Sequence, residues 1–218
     1  MKREVRSGLV ALLSEEKLRK LAQQRSQRPA NVRIEAQMRK IAAALDGYDI
    51  FLSHCFKDKS LTDGLTEQFE RLGFTVYIDW RDDPHLDRSR VNSETAGVLR
   101  DRLTSSKALF YVTSENAGDS KWMPWELGYM DGAKKTAAIL PVTKATESGN
   151  VFLGQEYLGL YPYVTVSDDT AGVERIWIRD DAETYVRFDR WIAGKSPQAA
   201  RSKLLEKRKL QGRKDTSG

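Results

Sequence analysis

Two apolar stripes at helical spacing open the chain. Val10, Leu13, Leu18 and Leu21 form the first, and Ile34, Met38, Ile41 and Leu45 the second, so residues 5–45 read as helical. Arg28-Pro29 separates them, because proline disfavours helix in the residue before it. Gly47 ends the second stripe, and short β-rich runs then alternate with amphipathic helices. Residues 48–52 read as a strand, and Leu61, Leu65, Phe69 and Leu72 stripe a helix closed by Gly73. Residues 74–78 form the second strand. Ala96, Leu99 and Leu103 mark a helix capped by Asn92 or Ser93. Residues 108–112 give a third strand, a helix runs from near residue 122 to about Lys134, and residues 137–142 and 161–166 give two more strands. Beyond Ser167, residues 176–178 read as a short strand. Residues 182–192 read as a helix with Tyr185, Phe188 and Trp191 on one side, and a basic helix and tail follow from about residue 195.

Strands apolar on both faces, joined through helices by short connections, predict a parallel sheet covered by helices on both sides. Four regions follow: an N-terminal helical extension over 1–46, an α/β domain over 47–166, a strand and helix elaboration over 167–200, and a basic tail over 201–218.

Composition narrows the class. The 218 residues hold no run near the roughly 18 apolar residues that a membrane helix needs. The apolar stretch of residues 8–13 is too short for a signal peptide and is interrupted by Ser14-Glu15-Glu16-Lys17. One cysteine, Cys55, excludes an internal disulfide, and two histidines leave little for a transition-metal site, so a cytoplasmic, metal-free protein is expected. The net charge of +5 is uneven: residues 1–46 and 195–218 each carry +6, and residues 47–194 carry −7. Nucleic acid is therefore not an expected partner, since a basic footprint should lie on the folded face.

In a parallel sheet, ligands bind beyond the carboxyl ends of the strands. Those ends carry Ser53, His54 and Cys55, then Asp79, Trp80, Arg81, Asp82 and Asp83, then Thr113, Ser114, Glu115 and Asn116. Phosphate-loop, dinucleotide and nucleophile-elbow signatures are absent. Cys55 beside His54 suggests a thiol nucleophile, but neighbours on a strand face opposite ways, so a small buried residue is the better reading. In Ser120-Lys121-Trp122-Met123-Pro124-Trp125-Glu126-Leu127-Gly128, Trp122 and Glu126 share a helix face. Pro124 is tolerable only in a first turn, which puts Glu126 near the helix start, where the helix dipole favours a charged carboxylate.

Tyr48-Asp49-Ile50-Phe51-Leu52-Ser53-His54, Leu72-Gly73-Phe74-Thr75-Val76-Tyr77, Trp80-Arg81-Asp82-Asp83-Pro84 and the Ser120 to Gly128 segment resemble the successive boxes of the TIR (Toll/interleukin-1 receptor) domain, of the bacterial stand-alone type. The chain departs from that pattern after the second strand: the family often has proline–glycine, and here Pro84-His85-Leu86 leads into a charged stretch to Arg90. The resemblance implies a flavodoxin-like fold with a five-stranded parallel sheet. It also implies cleavage of NAD at the nicotinamide–ribose bond, with Glu126 catalytic, NAD as substrate and no cofactor required. Ser53, His54, Asp79, Trp80, Arg81 and Trp122 are the expected binding residues. Activity as a homo-oligomer or with a partner signalling protein, in bacterial antiviral defence, is implied in the same way. Two other readings stand beside it: a non-catalytic interaction module, and glycosyl transfer of the nucleoside deoxyribosyltransferase kind.

Overall fold

The computed structural model describes residues 12–89, 91–144 and 156–200. In chain order the main elements are β1 (Leu13–Ser14), α1 (Glu15–Ser26), α2 (Ala30–Asp46), β2 (Ile50–Ser53), α3 (Lys59–Arg71), β3 (Val76–Tyr77), α4 (Asp79–Asp82), α5 (Ser93–Ser105) and β4 (Ala108–Thr113). They continue with α6 (Met123–Lys134), β5 (Ala137–Thr143), β6 (Tyr163–Asp168), β7 (Glu174–Arg179), β8 (Thr184–Arg187), α7 (Phe188–Trp191) and β9 (Gln198–Ala199).

The sheet order is β3-β2-β4-β5-β6-β7-β8-β9, with the first five strands parallel and the rest antiparallel. The parallel part is the flavodoxin-like order. Each central strand divides its side chains between two cores, as a period of two requires. Ile50, Leu52, Phe110 and Val112 face one, where Leu18 and Leu21 of α1, Leu61, Leu65 and Phe69 of α3, and Phe188 of α7 close over them. Phe51, Leu109, Tyr111 and Ile139 face the other, under Leu99 and Leu103 of α5 and Met123, Leu127 and Met130 of α6. The α3 and α6 crossovers thus leave β2 and β4 toward opposite faces. The register Ser53↔Tyr111 sets the two strand ends side by side at the resulting crevice.

Four expectations are corrected. Leu13-Ser14 is a strand, not helix: Leu13 pairs with Val142, and the Ser14 side chain caps α1 by accepting from the Lys17 N–H. The sheet has nine strands among the described residues rather than five, because a β7–β8 hairpin and β9 extend it and β1 pairs with β5. Residues 184–187 are a strand, not part of a helix: Asp181 Oδ1 accepts the Glu183 and Thr184 N–H groups at 2.7 Å each and turns the chain, and Thr184-Tyr185-Val186 suits a pleated surface. Only Phe188–Trp191 is helical there. Gln198-Ala199 is a strand paired with β8 where a basic helix was expected. Val10 and the tail 201–218 lie outside the described residues.

Helix α1 belongs to the same core as the sheet. Its backbone meets that of α3 at Gly64, where an added Cβ would stand 2.1 Å from the Leu18 carbonyl oxygen. Around that crossing, the fully buried carboxylate of Glu67 is held by Arg28 and Arg71 at 2.6 Å each. Gly64→Ala should therefore lower unfolding free energy by about 1–3 kcal/mol, despite alanine's better helix propensity. Gly132→Ala, on α6 with no atom near the new Cβ, should be neutral or stabilising by about 1 kcal/mol at most. Denaturant unfolding of both variants checks this; equal behaviour would mean that α1 is not docked at Gly64.

Candidate active site

Glu126 enters the site through the start of α6. Trp122 is the N-terminal cap residue, Pro124 occupies the first turn, and the Glu126 N–H donates to the Trp122 carbonyl at 2.9 Å. The first turn points the Glu126 carboxyl across the ends of β2 and β4, where it is 0% exposed. Ser53, the last residue of β2, donates its Oγ–H to Glu126 Oε2 at 2.6 Å. Arg88, from the irregular segment between α4 and α5, donates from Nη2 to Glu126 Oε1 at 2.6 Å. The other guanidinium nitrogen of Arg88 donates to Asp79 Oδ2. His54 Nε2 lies 3.4 Å from Asp79 Oδ1, and its Nδ1 contacts the Leu52 carbonyl at 2.8 Å. A carbonyl only accepts, so Nδ1 carries the proton. Ser53, Glu126, Arg88, Asp79 and His54 form one continuous polar chain in a buried setting.

In this chain two carboxylates share one guanidinium, with the His54 ring beside Asp79. Burial pushes the Glu126 carboxyl above its ordinary value, and the attraction of Arg88 and the Ser53 hydrogen bond only partly oppose it. Asp79 is also penalised by burial, but His54, Arg88 and the Trp80 N–H outweigh that and hold it below the usual range. One carboxylate is thus firmly ionised and the other is poised. A buried place lined by two carboxylates favours a cation over an anion.

The expected site residues divide into two sets. Ser53, His54, Asp79 and Glu126 come together. Trp122 borders them: its buried ring donates from Nε1 to the Arg88 carbonyl at 3.0 Å and so ties the Arg88 segment to α6. Trp80 and Arg81 are turned toward α3 instead. The Trp80 ring lies under Lys59 Nζ, 4.4 Å from its centroid, and packs on the α3-side core. Arg81 pairs with Glu70 and Asp82 and donates to the Val76 carbonyl. Cys55 is a small buried core residue, and Asp58 accepts from Ser114 and Asn116 to clamp the loops after β2 and β4 together.

Two residues of the site were not picked out from sequence. Arg88 is one of several charges in a polar stretch, and no pattern separates it from Asp87 or Arg90. Tyr111 reads as a strand residue, yet its hydroxyl meets Tyr157 and lies within the field of Glu126. Burial, with Tyr157 and Glu126, pushes that hydroxyl up to about 12. Among the described residues, no group of three or more His, Cys, Asp or Glu is placed to hold a metal ion, and no helix is long and apolar enough to cross a membrane.

Known proteins share this arrangement of sequence. A probable 3' cyclic ADP-D-ribose synthase, ThsB', of Bacillus cereus (strain MSX-D12) is 53% identical over 148 residues, which cover 66% of this chain and 75% of that protein. TIR2 of Cytobacillus dafuensis, a candidate cyclic ADP-D-ribose synthase, is 33% identical over 101 residues, 46% of this chain and 27% of its own length. The TIR domain family profile matches residues 50–177, from the first residue of β2 into β7, and so contains every residue of the polar chain around Glu126. On that match and on the sheet order beneath it, the chain belongs to the TIR domain family.

Proposed function

We propose that this chain cleaves NAD at the nicotinamide–ribose bond and closes the remaining ADP-ribose into a cyclic product, with Glu126 as its catalytic residue. The observation that carries this reading is the Glu126 carboxylate: fully buried, at the crevice between β2 and β4, and poised by burial against the pull of Arg88 and Ser53. The names of the two relatives, a probable 3' cyclic ADP-D-ribose synthase and a candidate cyclic ADP-D-ribose synthase, support the cyclase type.

The chemistry suits a single carboxylate. The electron pair of the carbon–nitrogen bond goes to the pyridinium ring, so nicotinamide leaves neutral and needs no proton donor. The positive charge passes to the ribose. An ionised Glu126 faces that charge and stabilises it in a site with little water to screen it. Capture by a hydroxyl of the same molecule forms the new carbon–oxygen bond and releases one proton, which the Glu126 carboxylate accepts. Capture by water would give linear ADP-ribose by the same route. Ser53 fixes the carboxylate, His54 fixes Asp79, and Trp122 supplies an aromatic wall. The setting is cytoplasmic signalling in antiviral defence, with activity tied to assembly. For that assembly α2 offers Ile34, Met38, Ile41 and Leu45, which are 55–83% exposed at the 4-3-4 spacing of a helix-pairing seam.

Glu126→Gln keeps the shape and loses the charge. It should leave a folded protein whose nicotinamide release falls by a factor of about 10²–10³. Glu115→Gln, at an exposed residue paired with Lys144, should stay near wild type. Chromatography of nicotinamide and the nucleotide product reads both. Wild-type turnover by the Glu126→Gln variant would remove Glu126 as the catalytic residue, absence of turnover in the wild type would leave an interaction module, and a covalent sugar–Glu126 adduct would indicate glycosyl transfer.

The pH profile carries a second test. Catalysis needs Glu126 ionised, and its carboxyl lies above the ordinary 4.5. Activity should therefore fall as pH drops through a midpoint above 4.5, while Asp79, held low, keeps its charge. Arg88, Asp79, His54, Ser53 and Tyr111 are the groups that face Glu126. An acid limb centred at or below 4.5 would remove Glu126 as the titrating group.

For assembly, replacing both Met38 and Ile41 by Glu should shift light scattering from oligomer toward monomer and lower activity. A wild-type monomer at every concentration, with full turnover, would separate assembly from function.

A further inference from the structure

Both oxygens of Glu126 are already taken, so in this conformation no substrate can touch them. One partner must leave before the proposed reaction can start. Ser53 is fixed: it ends a central strand, is fully buried, and pairs in register with Tyr111. Arg88 is held differently. It sits in residues 84–89 between α4 and α5, tied down by the Trp122 Nε1 bond to its carbonyl, by the Thr95 Oγ1 bond to the Asp87 carbonyl at 3.2 Å, and by Leu86 on the α6-side core. The movable partner is Arg88.

We propose that Arg88 is an internal competitor of the substrate: its guanidinium occupies, in the free protein, the place that the cationic nicotinamide ring of NAD takes when it binds. This deepens the NAD-cleaving reading and rests on it. The chemistry of the two groups is matched. Each is a flat monocation, and the place in question is bounded by the two carboxylates of Asp79 and Glu126. Two cations cannot share it, because at contact distance their repulsion is several kcal/mol even in a moderately polar site.

The arrangement also explains why the segment should open for a cation and for little else. Withdrawing Arg88 alone strands two carboxylates away from water, and breaking a buried pair in that way is strongly unfavourable. Withdrawing it while a pyridinium enters leaves the charge in the well unchanged. Opening is therefore coupled to substrate charge. Apparent affinity for NAD is lowered by the fraction of molecules with Arg88 in place.

The test compares wild type with Arg88→Ala and Arg88→Lys in nicotinamide release against NAD concentration. Removing the competitor should lower KM by about tenfold or more, with kcat equal to or above wild type. Arg88→Lys, which keeps the charge but loses the planar fork, should lie between. Millimolar guanidinium chloride should then inhibit Arg88→Ala competitively with NAD, at an ionic strength matched with sodium chloride, and leave wild type nearly unaffected. A raised KM in Arg88→Ala, or stimulation by guanidinium, would overturn the proposal and make Arg88 a substrate contact.

If neither wild type nor Arg88→Ala releases nicotinamide, the NAD-cleaving reading fails, but the cation site is still read by melting temperature. Guanidinium and N-methylnicotinamide, a flat cation with no ribose to cleave, should each stabilise Arg88→Ala and not the Arg88→Ala/Glu126→Gln double variant. Equal effects on both would overturn the cation site. Should Arg88→Ala not fold unaided, refolding rescued by guanidinium supports the site. Failure of that rescue, with an Arg88→Lys KM at or above wild type, rejects it.

Discussion

A carboxylate without water must be compensated by something, and the region around Glu126 is organised by that need. Desolvation is the largest influence on it. Ser53 can supply one hydrogen bond but no charge. The charge comes from Arg88, which is shared with Asp79, and Asp79 in turn orders His54. The five members of this polar network come from four places in the chain: the end of β2, α4, the segment before α5, and α6. The polar chain therefore exists only when all of these are assembled. Removing Arg88 takes the guanidinium from two buried carboxylates at once, whereas losing either carboxylate leaves Arg88 paired with the other.

The fold supplies this convergence through one topological feature. The order of strands reverses about β2, with β3 on one side and β4 on the other, and the helices that follow β2 and β4 cover opposite faces. The ends of those two strands are thereby left open to each other, and α6 lays its first turn over the gap. Aliphatic and aromatic layers on both faces hold the strand ends rigid, so Ser53 and Tyr111 act as fixed points. Residues 84–89 lie outside the sheet and are tied down by Leu86 on the α6-side core and by hydrogen bonds to Trp122 and Thr95, while Asp83 before them is anchored by Arg102 and Tyr77.

Local signals in the sequence account for most of this scaffold. The bounds of α6 follow from Pro124 and the apolar 123–127–130 spacing, and α5 from its Asn92 cap, whose Oδ1 accepts the Thr95 N–H at 2.7 Å. Glu126 was legible because its neighbours carry a specific pattern. What was not legible depended on distant partners. Leu13 is equally apolar as a helix or a strand residue, and only Val142 decides between them. Tyr185 and Phe188 fit a helical spacing, but the Asp181 turn and pairing with β7 prevail. Trp80 and Arg81 lie next to Asp79, yet residues 79–82 form one turn of helix, which sends adjacent side chains in different directions. Arg88 has no local signature, since its importance lies in two carboxylates that the chain brings to it from elsewhere.

Water exclusion links the static geometry to the outcome of the proposed reaction. Once nicotinamide has left, the ribose cation reacts with the first oxygen that reaches it. Bulk water would win on concentration alone, so a cyclic product demands that the well stay closed while an internal hydroxyl approaches. Glu126 is fully buried, with Ser53 on one carboxylate oxygen and Arg88 on the other, and Trp122 holds the Arg88 carbonyl. The segment that must yield to admit the substrate is thus also the one whose return keeps water out. Its guanidinium cannot resume its place while the ribose carries positive charge, but it can once the charge has been discharged and the proton has passed to Glu126. Charge in the well, rather than a separate mechanical signal, then sets the order of opening, cleavage, ring closure and release.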